Sequence, residues 1–160
     1  MNNPVFAPAL PPEGGVYVLV LRLPESACVT VGRLGACALP AGWLLYVGSA
    51  MNGLAGRIGR HARANKRLHW HIDHVLQVAP LQEVWCHVGL ERLECDWARL
   101  LAAQPGLALY PRPLGASDCA CFTHLLCSPE TVAVKEAFQM LQQRWPCQRH
   151  VLWTDTAGLD

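Results

Sequence analysis

Residues 43–61, WLLYVGSAMNGLAGRIGRH, decide how this chain folds. An apolar run from Trp43 to Val47 ends at Gly48, the pattern of a buried strand stopped by a turn residue. Leu54, Ile58 and Ala62 then recur every four residues, which predicts one buried face of a helix over 53–65. Arg57 and His61 are also four apart and share a face of that helix. The stretch therefore reads as strand, turn and helix, with a tyrosine near the strand's end and a cation and an imidazole on the helix.

Upstream, GVYVLVLRL (15–23) and ACVTVGRLG (27–35) read as two strands, so three strands with short connections predict an antiparallel meander. Downstream, residues 69–78 suit a short helix and LQEVWCHVG (81–89) a strand. Residues 90–103 suit a helix with Leu93, Trp97, Leu100 and Leu101 on one side. Residues 105–120 are rich in loop residues, and 121–127 read as a late strand. A last helix is predicted over 129–143, with Ser128 as its cap and Pro129 at its first position. No element is predicted after Pro146. The class is α+β, a small and mainly antiparallel sheet with a three-stranded core flanked by helices. The organisation is a loose, proline-rich arm (1–12), a main domain (13–128), and a C-terminal helix and tail (129–160) packed on that domain.

The composition narrows the function classes. The chain has 160 residues, 52% hydrophobic and 16% charged, which suits one globular core. Its net charge is +1, so the protein as a whole is no polycation and nucleic-acid contact needs a local patch. One exists: RIGRHARANKR (57–67) holds Arg57, Arg60, Arg63, Lys66 and Arg67 and no acid. Trp70 lies just beyond, and a core position is preferred for it over stacking on a base. No signal-peptide pattern and no membrane-length apolar run appears, so a cytoplasmic protein without membrane contact is expected. Without a secretory signal, the eight cysteines are expected to be reduced.

Gly15-Val16-Tyr17, Tyr46-Val47-Gly48, Arg57, His61 and Glu94, in that order, resemble the GIY-YIG nuclease superfamily, with valine for isoleucine in both tripeptides. More narrowly, GxYxLxL, VGRLG, YVGSA, HWHID, ECxxA and SDCxC resemble its Uri-type branch of predicted endonucleases. These motifs span residues 13–127, most of the chain. The resemblance implies a metal-dependent endonuclease acting on duplex, branched or damaged DNA. With little chain left for an added domain, DNA structure, a partner protein or a homodimer would choose the target, and the sequence does not say which.

The resemblance also implies roles that chemistry makes sensible. Glu94 would be the single carboxylate holding one Mg²⁺ or Mn²⁺, a hard ion that keeps most of its waters. Arg57 would bind a phosphate oxygen as a permanent cation. Tyr17 would accept the proton of the attacking water, and Tyr46 would position water or phosphate. His61 would orient Tyr17 or touch phosphate. Arg60, Arg63, Lys66 and Arg67 are expected on the substrate backbone, and His69, His71 and Asp118 along the same cleft. Many superfamily members place an asparagine after the glutamate. This chain has none after Asn65, so that place is either filled by Ser117-Asp118 or His124 or left empty.

Taken singly, each of these residues has a plainer reading as packing or solvated surface; only the joint pattern favours the nuclease. Two other readings stay open. One is a nucleic-acid-binding module with the same fold and little or no turnover. The other is a structural zinc-binding adaptor. Two motifs bear on the second: His69, His71 and His74 form H-x-H-x-x-H, and Cys119, Cys121 and His124 form C-x-C-x-x-H. Neither has the paired CxxC spacing of a strong zinc site, and ordinary packing is the preferred reading of both.

Overall fold

The computed structural model describes residues 4–116 and 119–153. In chain order the elements are β1 (Val5–Ala7), β2 (Gly15–Leu23), β3 (Ala27–Thr30), β4 (Ala36–Leu39) and β5 (Gly42–Ala50). Then come α1 (Leu54–Ala62), α2 (His71–Leu76), β6 (Leu81–Val88) and α3 (Glu94–Ala102). The chain ends with β7 (Ala108–Leu109), β8 (Leu125–Ser128), α4 (Thr131–Arg144) and β9 (Gln148–Trp153).

The fold is α+β. One sheet has the order β1-β9-β6-β2-β5-β8-β7, with every neighbouring pair antiparallel. The sheet thus has seven strands, not three. The expected meander is also corrected. Residues 27–35 do not form a middle strand, because the Val31 amide donates to the Gly35 carbonyl at 2.9 Å and turns the chain back on itself. β3 and β4 form a separate hairpin, and β2 pairs directly with β5.

Side chains of a strand alternate between faces, and this sheet is covered on both, which is why β2 reads as a nearly unbroken apolar run. Tyr17, Leu19 and Leu21 face one core with Leu39 of the hairpin, Leu54 and Ile58 of α1 and Ile72 of α2. Val16, Val18 and Val20 face the other, with Trp97 and Leu101 of α3 and Ala137 and Leu141 of α4. In α3 the buried face carries Ala98, while Leu100 is only half-buried.

Both chain ends depart from expectation. Residues 1–12, expected to be loose, contain β1, which pairs with β9 from Val5 opposite Trp153 to Ala7 opposite Val151. β9, which carried no signal in the sequence, lies between β1 and β6. The last helix starts at Thr131 rather than Pro129. The Ser128 hydroxyl accepts the Glu130 amide at 3.1 Å and closes a turn before the helix begins. Among the described residues no helix is long and apolar enough to cross a membrane.

Candidate functional site

The site begins with a strand register. Tyr17 on β2 lies directly opposite Gly48 on β5, and Leu19 lies opposite Tyr46. Residues two apart on a strand share a face, so both tyrosines project from the same side of the sheet. The glycine is needed there. A Cβ at Gly48 would stand 2.5 Å from both Cζ and the hydroxyl of Tyr17. A second glycine does the same for the second ring: Gly115, at φ +74°, comes so near Tyr46 that a Cβ would lie 2.6 Å from its hydroxyl.

α1 follows β5 and brings its polar residues back to these rings. The Tyr17 hydroxyl is 2.8 Å from His61 Nε2, and both groups are buried. His61 Nδ1 stands 3.8 Å from Oδ1 of Asp73, beyond hydrogen-bond length but close enough for charge to orient the ring. A proton on Nδ1 leaves Nε2 free to accept the tyrosine hydroxyl. Asp73 is fully buried. Its Oδ2 accepts the amides of His69 at 2.7 Å and Trp70 at 2.9 Å, and its Oδ1 accepts Arg60 Nη1 at 3.2 Å.

Arg57 donates to the Ser49 carbonyl at 3.1 Å and stacks over Trp70 at 4.6 Å. Arg60 stacks on the same ring at 4.4 Å. Trp70 is therefore half-buried at the rim of the core, holding two guanidinium groups. Glu94 opens α3. Its Oε2 accepts the Ser49 hydroxyl at 3.0 Å, and its Oε1 lies 3.1 Å from His124 Nδ1. His124 thus sits beside Glu94, while Ser117 and Asp118 lie outside the described residues.

Burial sets the protonation states. It pushes the Tyr17 phenol well above its ordinary value, with Arg57 pulling back less strongly. Tyr46 is raised in the same way by burial and then by Tyr17. Burial lowers His61, against the opposing pull of Asp73, so the ring is neutral near pH 7. For Asp73 burial works upward but is overridden by the His61 ring, the His69 and Trp70 amides and Arg60, and its carboxyl lies below the usual range. Burial also lowers His71, whose Nδ1 accepts the Gly115 amide at 3.2 Å.

Tyr17, Tyr46, Arg57, His61 and Glu94 all line one cleft of about 570 Å³. His69 and His71 line it too. The basic stretch divides. Arg60 is committed to Asp73 rather than facing the cleft, and Lys66 donates to the His61 carbonyl. Arg63 and Arg67 are exposed outside the cleft lining. Asp118 lies outside the described residues. Asp73, Ser49, Arg92 and Cys95 were missed from the sequence; the last three line the cleft or reach its glutamate. An acid three residues after Trp70, where a side chain can reach back to the start of a helix, was the available signal for Asp73.

Glu94 suits a hard divalent ion. Its side chain is 31% exposed, and two hydrogen bonds leave half of its roughly four lone-pair sites open. The histidine triplet does not form a ligand set: among the described residues one group is close enough to share an ion, and it excludes His69, His71 and His74.

A family model described as "Domain of unknown function DUF123" matches residues 16–146. No curated protein and no solved structure matches the chain.

Proposed function

The chain belongs to the DUF123 family, whose function is unknown, and from the cleft and the resemblance of its motifs we propose that it is a divalent-metal-dependent endonuclease of GIY-YIG type that hydrolyses phosphodiester bonds in DNA. One observation carries the reading: Tyr17, Tyr46, Arg57, His61 and Glu94, scattered over four elements, line a single cleft. Surface tyrosines or solvated helix charges have no reason to converge in this way.

In this reading Arg57 grips a phosphate oxygen, its guanidinium held flat by Trp70 and aimed by the Ser49 carbonyl. Neutral His61 accepts the hydrogen bond of the Tyr17 hydroxyl through Nε2, and Asp73 holds the ring in that orientation. His61 is placed to take the Tyr17 proton, but burial raises the phenol and lowers the imidazole, so a phenolate able to accept the proton of the attacking water would form only where Arg57 and a bound metal offset that burial. Asp73 then faces an imidazolium, whose charge it stabilises. Tyr46 bounds the phosphate side of the cleft. Glu94 would hold the metal, with Ser49 and His124 fixing its carboxylate. The ion would stabilise charge on the phosphate and assist the departing oxygen.

The test is cleavage of labelled duplex, single-stranded, flapped and four-way-junction DNA with magnesium or manganese, using wild type and folded Glu94→Gln. Cleavage by wild type alone is expected. Equal cleavage by both would remove Glu94 from the site. Binding without cleavage by either would replace the enzyme with a nucleic-acid-binding module.

A further inference from the structure

Along one wall of the cleft, α3 and the segment leading into β8 bring three thiols and an imidazole together, and Cys95, Cys119 and His124 line the cleft itself. Sγ of Cys95, Cys119 and Cys121 and a ring nitrogen of His124 all lie within 4.8 Å of one another. Cys119 Sγ is 3.3 Å from His124 Nε2. None of these cysteines is in a disulfide. We propose that Cys95, Cys119, Cys121 and His124 form a closed, four-ligand site for one zinc ion.

The donor chemistry points to this metal. Three thiolates and one imidazole are soft to borderline ligands and make a Cys₃His set, which zinc binds tetrahedrally. Zinc–sulfur bonds of about 2.3 Å hold sulfurs about 3.8 Å apart, so the cluster needs to contract by only about 1 Å to close on an ion. The burial is that of a metal site rather than a core: the thiols are half-buried, and His124 is buried. The spacing C-x-C-x-x-H supplies three ligands from one short segment, and the fourth comes from the first turn of α3.

The ion would have two effects on the chain. It would tie Cys119 and Cys121, which follow Gly115 closely in the chain, to α3, and so help hold Gly115, whose amide donates to His71 Nδ1, against Tyr46. It would also fix His124. A metal on Nε2 leaves the ring proton on Nδ1, which then donates to Glu94 Oε1 at 3.1 Å. Glu94 is thereby the outer partner of the zinc site as well as the exposed carboxylate of the cleft. All four zinc positions are filled by protein, so this ion positions Glu94 and does not activate water. The site rests on its own ligands and not on the nuclease reading.

The test is elemental analysis of the full-length protein purified under reducing conditions without chelator. About one equivalent of zinc per chain is expected. Cys95→Ser should bind zinc about tenfold or more weakly, while Cys28→Ser, at an exposed cysteine outside the cluster, should keep it. Glu94→Gln, which removes only the charge of the outer partner of His124, should bind zinc at most about 10- to 100-fold more weakly. In case Cys95→Ser does not fold, chelated and reduced wild type is titrated with cobalt(II). A thiolate-to-cobalt charge-transfer band with the intense visible bands of tetrahedral cobalt is expected. The proposal is overturned by reduced wild type that holds no zinc and gives no such band. It is equally overturned by folded Cys95→Ser that keeps full affinity. Zinc content is read without DNA, so a protein that binds zinc and cuts nothing would sink the nuclease and leave this site standing.

Discussion

The Tyr17 hydroxyl and His61 Nε2 face each other at 2.8 Å in a buried contact that joins β2 to α1. Under the proposed mechanism this is the path by which the phenol loses its proton. Tyr17→Phe keeps the ring against Gly48 and removes only the hydroxyl. DNA cleavage should fall by about 10²- to 10⁴-fold, the usual contribution of a general base. Stability should fall by about 1–3 kcal/mol, because the buried His61 Nε2 loses its hydrogen-bond partner. Single-turnover cleavage beside a urea melt checks both, and wild-type cleavage by the variant would remove Tyr17 from the chemistry.

Gly48 gives the opposite kind of perturbation. In Gly48→Ala the new methyl would sit 2.5 Å from the Tyr17 ring and hydroxyl, and neither the strand pairing nor the packed ring has space to give. The ring must move, at an overpacking cost of about 1–3 kcal/mol. Cleavage should drop with stability, whereas Gly56→Ala, where a Cβ meets nothing within 4 Å, should leave both intact. Thermal melts of the two variants decide this directly.

Acid should weaken the fold through His61. Burial lowers its folded-state value below the ordinary 6.5, so beneath pH 6.5 the unfolded chain binds the extra proton. The contribution is therefore present above 6.5 and lost as pH falls from there toward the lowered value. Asp73, lowered in the fold, loses its own contribution only below the ordinary 3.8. His71 shifts with His61, and His124 shifts the other way, so a variant is needed to isolate the residue. The stability advantage of wild type over His61→Gln should shrink between about pH 7 and about pH 5. A constant difference across that range in urea titrations would mean that His61 is not held neutral by its burial.

How much of this could be read in advance depended on whether the signal was local. β2, β5 and α1 were legible because an apolar run, a glycine stop and a four-residue period lie within one stretch. β9 was not: its burial follows no strict alternation, and its place in the sheet is set by β6 and β1, which lie far away in sequence. In the site, the two tripeptides stood out only by their resemblance to a nuclease pattern, and the pairing of Tyr17 with Gly48 appears only in the sheet register. Asp73 looked like an ordinary acid at the start of a short helix. Its burial under Arg60 appears only when α1 and α2 pack together. Cys95 was lost for the same reason, since nothing in residues 90–103 says that its thiol meets those of Cys119 and Cys121. The pairing of Arg60 with Asp73 was not legible because a run of cations reads as a surface, and the sequence does not say which one has a buried partner.

Asp73 offers the most direct test of how the cleft is held. Its carboxylate satisfies two backbone amides and the Arg60 guanidinium at once, and Arg60 in turn lies on Trp70, which also carries Arg57. Asp73→Asn keeps the shape but puts an amide where donors converge, leaving Arg60 without its counter-charge. The cost should be about 3 kcal/mol, the low end for breaking a buried pair. The reason for the low figure is that Arg60 is 22% exposed and can recruit water. A lower urea midpoint with an unchanged slope is expected. Arg60→Gln and the double variant complete a cycle. Because both single changes break the same contact, their combined cost should be less than the sum by about 1 kcal/mol or more. Strict additivity would mean that Arg60 and Asp73 act independently, and that the platform under Arg57 is held by packing alone.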